Sequence, residues 1–195
     1  MPALEWLLLT YKVPAEPARK RVSIWRKLKG MGAVYLQGGV CVLPKTDDHL
    51  RRLKMLENEI AEAEGEALLL ATVGLDQKQQ DKIIARFNAD RDDEYTEFIE
   101  KCIAFEEEIA EETRVKHFTF AELEENEQEL TKFKTWIAKI QKLDFYKANR
   151  AEEAAGRLVK SEAILDAYAH NVFSAQEENM SPEAPKGQSN SSKTA

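Results

Sequence analysis

The sequence is poor in the residues that build cross-linked or metal-bound scaffolds. Its 195 residues hold two cysteines, Cys41 and Cys102, and three histidines, His49, His117 and His170. Two thiols cannot supply a disulfide framework for a chain of this size. The histidines are scattered without metal-ligand spacing and are expected at surface or capping positions. No Gly-x-Ser-x-Gly, phosphate-cradling glycine loop or Cys-x-x-Cys occurs, so we expect no enzyme, no cofactor and no metal site. Long apolar runs are missing as well. Near the start the longest is Trp6-Leu7-Leu8-Leu9, far below the ~20 residues that span a bilayer. The N-terminus lacks the basic head and apolar stretch of a secretory leader, which makes the cytoplasm the expected location, with no membrane partner.

What is present points to a folded, highly charged chain. A hydrophobic share of 43% excludes wholesale disorder, and a charged share of 32% with a mean hydropathy of −0.52 favours long solvated helices. The net charge of −7 hides an asymmetry. Residues 1–54 carry 11 basic against 4 acidic side chains, a local +7, whereas residues 76–130 carry 7 against 18, a local −11. Binding follows local potential rather than the total.

The first 75 residues alternate strand and helix signals. The apolar run at residues 4–13 ends at Pro14 and Pro17 and reads as a buried strand. Residues 18–29 then change period. Val22, Ile24, Trp25, Leu28 and Met31 share one half of a helical wheel, and Arg19, Lys20, Arg26 and Lys27 share the other. Gly30 and Gly32 stop that helix. Two β-rich runs flank Gly38-Gly39, a two-residue hairpin whose turn residues should both take positive φ. Pairing Gln37 with Val40 places Val34, Leu36, Cys41 and Leu43 on one sheet face. Thr46 or Asp47 caps a second helix with Leu50, Leu53, Leu56 and Ile60 on one side, and residues 67–73 form a last strand. The expected fold is therefore α+β, a ferredoxin-like β-α-β-β-α-β sandwich over residues 1–75 followed by an all-α region.

After Gly74 the strand signal does not return. Phe98, Cys102, Phe105 and Ile109 step as a heptad-like seam, as do Leu130, Phe133, Ile137 and Ile140, and Leu158, Leu165 and Val172. Thr119-Phe-Ala-Glu122 is a capping box, and the period falters again at residues 144–149. Residues 76–175 thus read as three long helices, and the polar, proline-containing residues 176–195 as a disordered tail. Cys41 and Cys102 fall on apolar faces and are expected to act as small buried hydrophobes. The runs Glu106-Glu107-Glu108 and Glu124-Glu125 are expected on solvated faces, because neighbouring helical residues point about 100° apart. Half-covered seams and open sheet edges favour a homodimer.

The feature with chemistry in it is basic. Lys12, Arg19, Lys20, Arg21, Arg26, Lys27 and Lys29 occur within eighteen residues that contain one acid, Glu16. Such a patch suits DNA phosphates or a small oxyanion. It can equally solubilise its domain or dock on the acidic helices downstream. Arg21 lies one turn before Trp25, where it can stack on the indole or hold an anion.

Several motifs together resemble one family. Trp6-Leu-Leu-Leu-Thr-Tyr-Lys-Val-Pro14, Arg21-Val-Ser-Ile-Trp25-Arg-Lys-Leu-Lys29, the hairpin from Gly32 to Pro44, Glu66-Ala-Leu-Leu-Leu70 and Phe118-Thr-Phe-Ala-Glu-Leu-Glu-Glu125 are similar to the N-terminal domain of the ChrB chromate-resistance regulators. The resemblance covers most of residues 4–173. It implies a regulatory, DNA-associated module with similarity to PaaX-type repressors, acting beside a chromate efflux pump and responding to chromate. Full-length members of the family carry a further C-terminal chromate-resistance domain, and PaaX-type repressors a winged helix ahead of the sandwich; neither is expected within these residues. The leading expectation is a cytoplasmic regulator of chromate resistance that binds DNA or an oxyanion through its basic first helix. The alternative is a non-catalytic interaction or scaffold module that pairs through its long helices.

Overall fold

A computed structural model describes residues 4–180. Its described part is α+β, with one four-stranded antiparallel sheet and five helices: β1 (Glu5–Lys12), α1 (Ala18–Gly30), β2 (Val34–Gln37), β3 (Val40–Pro44), α2 (Asp47–Glu62), β4 (Glu66–Val73), α3 (Gln77–Arg114), α4 (Phe120–Leu143) and α5 (Ala151–Met180). The strands lie in the order β2-β3-β1-β4.

Alternation along β1 decides both faces of the sheet. Leu7 and Leu9, opposite Leu43 and Cys41 of β3, point to the side where α1 contributes Ile24 and Leu28 and α2 contributes Leu53, Leu56 and Ile60. Trp6 points the other way, into a layer with Val34, Val42 and Phe87 of α3. The Trp6 indole N–H donates to the Tyr146 hydroxyl at 2.8 Å, and the Phe87 ring lies 5.2 Å from Tyr146. The first turns of α3 and the α4–α5 connection therefore cover the second face over β1, β2 and β3. β4, at the sheet edge, keeps Leu68 and Leu70 exposed on that face.

The hairpin differs from expectation in two respects. Gln37 does pair with Val40, but Tyr35, not Leu36, lies opposite Cys41, because the register shifts between Tyr35 and Gln37. Leu36 is the extra residue of this bulge and is exposed, so it does not join Cys41 and Leu43 in the core; nor does Val34, which faces the other layer. Of the two glycines only Gly39 takes positive φ, 73°. A bulge adds local right-handed twist, and with it a single left-handed residue closes the turn.

The seams of α3, α4 and α5 meet in one core. Phe98, Cys102, Phe105, Ile109, Leu130, Phe133, Ile137, Ile140, Leu165 and Val172 are all buried there, with the Phe98 ring 5.9 Å from Phe133 and 5.4 Å from Trp136. The seam residues thus bury one another within the chain, while Phe120 of α4 and Val159 and Phe173 of α5 stay exposed. Thr119 caps α4 by accepting the Glu122 N–H at 3.2 Å, and Thr46 caps α2 by accepting that of His49 at 3.1 Å. The start of α5 is set from α3: Asp92 accepts the Arg150 N–H at 2.8 Å and the Asn149 side-chain amide at 3.1 Å.

Three further expectations need correction. His49 is buried rather than at the surface; its Nδ1 lies 2.8 Å from the Pro44 carbonyl and its ring stands edge-on to Phe145 at 5.4 Å. Glu106 leaves the solvated face as well. It is 6% exposed and meets Arg157 and Lys160, each at 2.9 Å, and the Ser161 hydroxyl at 3.0 Å. Finally, α5 runs through residues 176–180, and the Gln176 amide donates to the Phe118 carbonyl at 3.2 Å, so the helix takes in the start of the segment read as tail. The remainder of that segment, residues 181–195, lies outside the described residues.

Candidate nucleic-acid interface

The site begins with the composition of α1. Its thirteen residues, Ala-Arg-Lys-Arg-Val-Ser-Ile-Trp-Arg-Lys-Leu-Lys-Gly, contain no acid. No intrahelical ion pair can form, so every cation must find a partner elsewhere or remain free. The structure sorts the seven predicted site residues accordingly. Lys27 bonds the Glu59 carboxylate of α2 at 2.6 Å, Lys29 bonds Asp90 of α3 at 3.0 Å, and Lys20 reaches the Glu62 carbonyl at 3.5 Å. These three tie α1 to its neighbours. Lys12, Arg19, Arg21 and Arg26 are exposed and have no partner within the described chain.

The stripe expected from Arg19, Lys20, Arg26 and Lys27 is therefore divided. Arg19 and Arg26, two turns apart, hold the outward face, while Lys20 and Lys27 lean towards α2. Arg21 does not stack on Trp25, and no cation lies over an aromatic ring among the described residues.

The apolar side of α1 is also divided, in a way the sequence reading missed. Ile24, Leu28 and Met31 enter the core, but Val22 and Trp25 are 42% and 49% exposed. Two separate stripes share the helix: Ile24-Leu28-Met31 and Ala18-Val22-Trp25, each stepping by four and three. A single helix lying on a sheet buries only one such stripe. The repeated step was legible in the sequence, but which stripe would face inward was not.

The second stripe lines a groove of about 570 Å³. One wall is Arg21, Val22 and Trp25; the opposite side is the end of β1, with Lys12 and Val13, and the Gly38-Gly39 turn. No acidic residue lines it. Gly39 is demanded by the fold, since a Cβ there would stand 2.5 Å from the Tyr11 carbonyl, and the Gly39 carbonyl accepts the Tyr11 N–H at 2.7 Å. Gly38 is different: a Cβ there would meet nothing within 4 Å. Behind the groove the Tyr11 and Tyr35 hydroxyls share a hydrogen bond of 2.7 Å, and burial with that bond raises the Tyr35 pKa above its ordinary range. Cys41 lies deeper, and burial pushes its thiol up to about 12. A thiol held protonated in this way is a poor nucleophile and a poor metal ligand.

The helical half carries the acid. A cleft of about 670 Å³ between α3 and α4 is floored by Phe105 and Phe133 and rimmed by Glu108, Glu122, Glu125 and Glu129, with Lys101 and Lys132 among them. Among the described residues no group of three or more His, Cys, Asp and Glu side chains could hold a metal ion. No described helix is long and apolar enough to cross a membrane.

The model of the family described as Protein ChrB, N-terminal, matches residues 21–179. The chain belongs to this ChrB N-terminal family. The match runs from Arg21 through the hairpin and β4 to all three long helices, so it takes in the α1 wall and the Gly38-Gly39 turn of the groove and the acidic helical half, while β1, with Lys12 and Val13, precedes it. The chain is also similar to Protein ChrB of Cupriavidus metallidurans, 31% identical over 98 residues. That similarity takes in half of this chain and 30% of the longer protein, so the chain corresponds to only part of that ChrB.

Proposed function

We propose that this ChrB-type chain is a non-catalytic regulator of chromate resistance that contacts DNA through the exposed cations of α1. The observation that carries the reading is the set Arg19, Arg21 and Arg26 on the acid-free α1, with Lys12 at the end of β1, left without protein partners in a chain whose net charge is −7. Cations that a fold leaves unpaired while pairing their neighbours are available to phosphates, and each phosphate neutralised releases counterions. The sheet order and the β-α-β-β-α-β sequence of elements support a ferredoxin-like reading of the first half, a platform that presents α1 on one face. Membership in the ChrB family supports the chromate-linked role.

The test is binding of the full chain to its own upstream DNA over a range of salt, with and without chromate. Changing Arg19 and Arg26 to alanine should weaken binding and reduce the slope of log K against log salt by about 0.9 for each phosphate no longer neutralised. Unchanged affinity and slope would remove α1 as the DNA surface. Release of DNA by chromate alone would assign the response to this region.

A second reading, a module that assembles with a copy of itself, is favoured by β4. This eight-residue edge strand, Glu-Ala-Leu-Leu-Leu-Ala-Thr-Val, has no basic residue or proline to blunt it, and Leu68 and Leu70 are 54% and 45% exposed. Antiparallel pairing of two β4 edges about a two-fold axis would cover both leucines and carry two α1 helices on one dimer. Sedimentation distinguishes the readings: a Leu68→Glu variant should remain a 22.2 kDa species where the parent dimerises, and a parent that is monomeric at every loading ends the dimer.

A further inference from the structure

The groove beside α1 has features that duplex phosphate binding does not require. Trp25 and its neighbour Val22 are about half exposed while Ile24 and Leu28 on the same helix are buried, so the groove offers a ligand an indole face and an apolar wall. The side opposite combines the end of β1, at Lys12 and Val13, with bare backbone at Gly38 and Gly39. The absence of a side chain at Gly38 is not a demand of packing, since a Cβ would fit freely, but it does leave the rim of the groove clear. The two cations at the groove, Lys12 and Arg21, come from different elements and are both unpartnered. An apolar platform, an open rim and flanking cations form a receptacle for a planar ring that carries a phosphate.

We propose that this groove binds an unpaired nucleobase, stacked on Trp25, with Lys12 and Arg21 on the phosphates to either side. The inference rests on the DNA-binding reading and refines it. In a duplex each base face is covered by its neighbours and only edges are offered, so a tryptophan face gains stacking only from a base that is single-stranded or turned out of the helix. Arg19 and Arg26 continue the positive surface round α1 beyond the groove, which suits a strand with several phosphates better than a free mononucleotide. The chain should accordingly prefer single-stranded segments to duplex at matched salt. The preference should depend little on sequence, because every base has a face to stack.

The fluorescence of the full chain reports on this stacking, because Trp6 is fully buried, Trp136 is partly buried against the helical core, and the part of the quench lost in Trp25→Phe is that of Trp25. An oligothymidylate strand should quench the exposed Trp25, and thymidine monophosphate should do so only at far higher concentration. Trp25→Ala should lose about tenfold or more in affinity for the strand, with duplex affinity and melting temperature unchanged, and Trp25→Phe should recover most of the loss. Gly38→Leu, whose Cβ meets nothing within 4 Å and whose side chain would fill the rim, should weaken strand binding too. If Trp25→Ala binds the strand as tightly as the parent while Arg19→Ala with Arg26→Ala still weakens duplex binding, the base site is overturned and the DNA reading survives. If the parent binds neither strand nor duplex, both fall. If the mononucleotide binds as tightly as the strand, the groove is a small-molecule site and the strand proposal is overturned.

Discussion

The sheet half and the helical half of this molecule handle charge in opposite ways. In α3 and α4 acids and bases lie closely enough to pair along their own helices: Arg91 with Glu94 at 2.9 Å, Arg114 with Glu111 at 2.6 Å, Lys132 with Glu129 at 2.8 Å. The surplus of acid there is spread over solvated faces, and its one deeply buried member, Glu106, is surrounded by two cations and a hydroxyl. In α1 no acid is available, so three lysines are drawn to other elements and the arginines remain outside. A helix with both signs satisfies itself; a helix with one sign holds its neighbours with part of its charge and presents the rest. This chain thus sets an acidic bundle that pairs much of its charge internally, with Asp90 lent to Lys29, beside a basic helix whose arginines stay unpaired.

The sharpest way to break this contrast is to break the bundle itself. Phe98→Ala removes a fully buried ring that stands edge-on to Phe133 and Trp136. It should cost about 3–5 kcal/mol of stability in denaturant unfolding. Because the Phe87 layer joins α3 to the sheet, the loss should appear in the sheet signal as well as the helical one. If only the helical signal moves, the two halves unfold independently.

Glu106→Ala tests whether the buried acid is held by its partners or merely tolerated. Removing one member strands the charges of Arg157 and Lys160, but Lys160 is largely exposed and Arg157 partly so. Solvent screens them, and we expect a loss of about 1–3 kcal/mol rather than the full cost of an orphaned buried pair. No loss would mean that Arg157 and Lys160 turn freely to water.

Cys41 offers a test of the sheet half by pH. Its thiol is raised in the folded protein to about 12, against about 8.5 in an unfolded chain. Below the unfolded value both states are protonated and the thiol contributes no slope. As pH rises past it the unfolded state loses a proton that the folded state keeps, so stability falls, by at most about 1.4 kcal/mol per pH unit, until the folded thiol itself ionises. Cys41→Ala should flatten that fall in unfolding curves collected between neutral and alkaline pH, and Cys41 in the parent should react slowly with thiol reagents at neutral pH. Rapid labelling would show that the hairpin opens readily.

The smallest effect separates two neighbours on α1. Lys27→Ala removes an exposed pair with Glu59 and should cost no more than about 1 kcal/mol, with little change in DNA affinity. Arg26→Ala, which breaks no pair, should leave stability unchanged and lower DNA affinity. The reverse pattern would contradict the division of the basic set.

Much of the fold was legible because its signals are local. The bounds of β3, the Thr119 cap, the helical bends and the three seams follow from turn chemistry and apolar period, and neither depends on what lies across the molecule. The candidate site was legible only in composition. Seven basic residues could be counted, but their separation into ties and free cations depends on Glu59, Glu62 and Asp90, which reach α1 from other elements. The bulge at Leu36 depends likewise on how β2 twists against β3, which the alternation of the sequence does not encode.

By itself the sequence determined which segments are strand and helix, that the second half carries heptad-like seams, and that α1 carries charge of one sign. Those properties depend on residue type and spacing along a few turns. Only the tertiary structure decided which of the two apolar stripes of α1 is buried, and therefore that Trp25 stands at an open groove with Lys12 and Arg21 beside it. The two stripes are alike in spacing, and a helix can lay only one of them on a sheet. The choice falls to the neighbours: the sheet and α2 surround Ile24, Leu28 and Met31 with apolar side chains, and in that rotation Lys27 and Lys29 also reach carboxylates on α2 and α3.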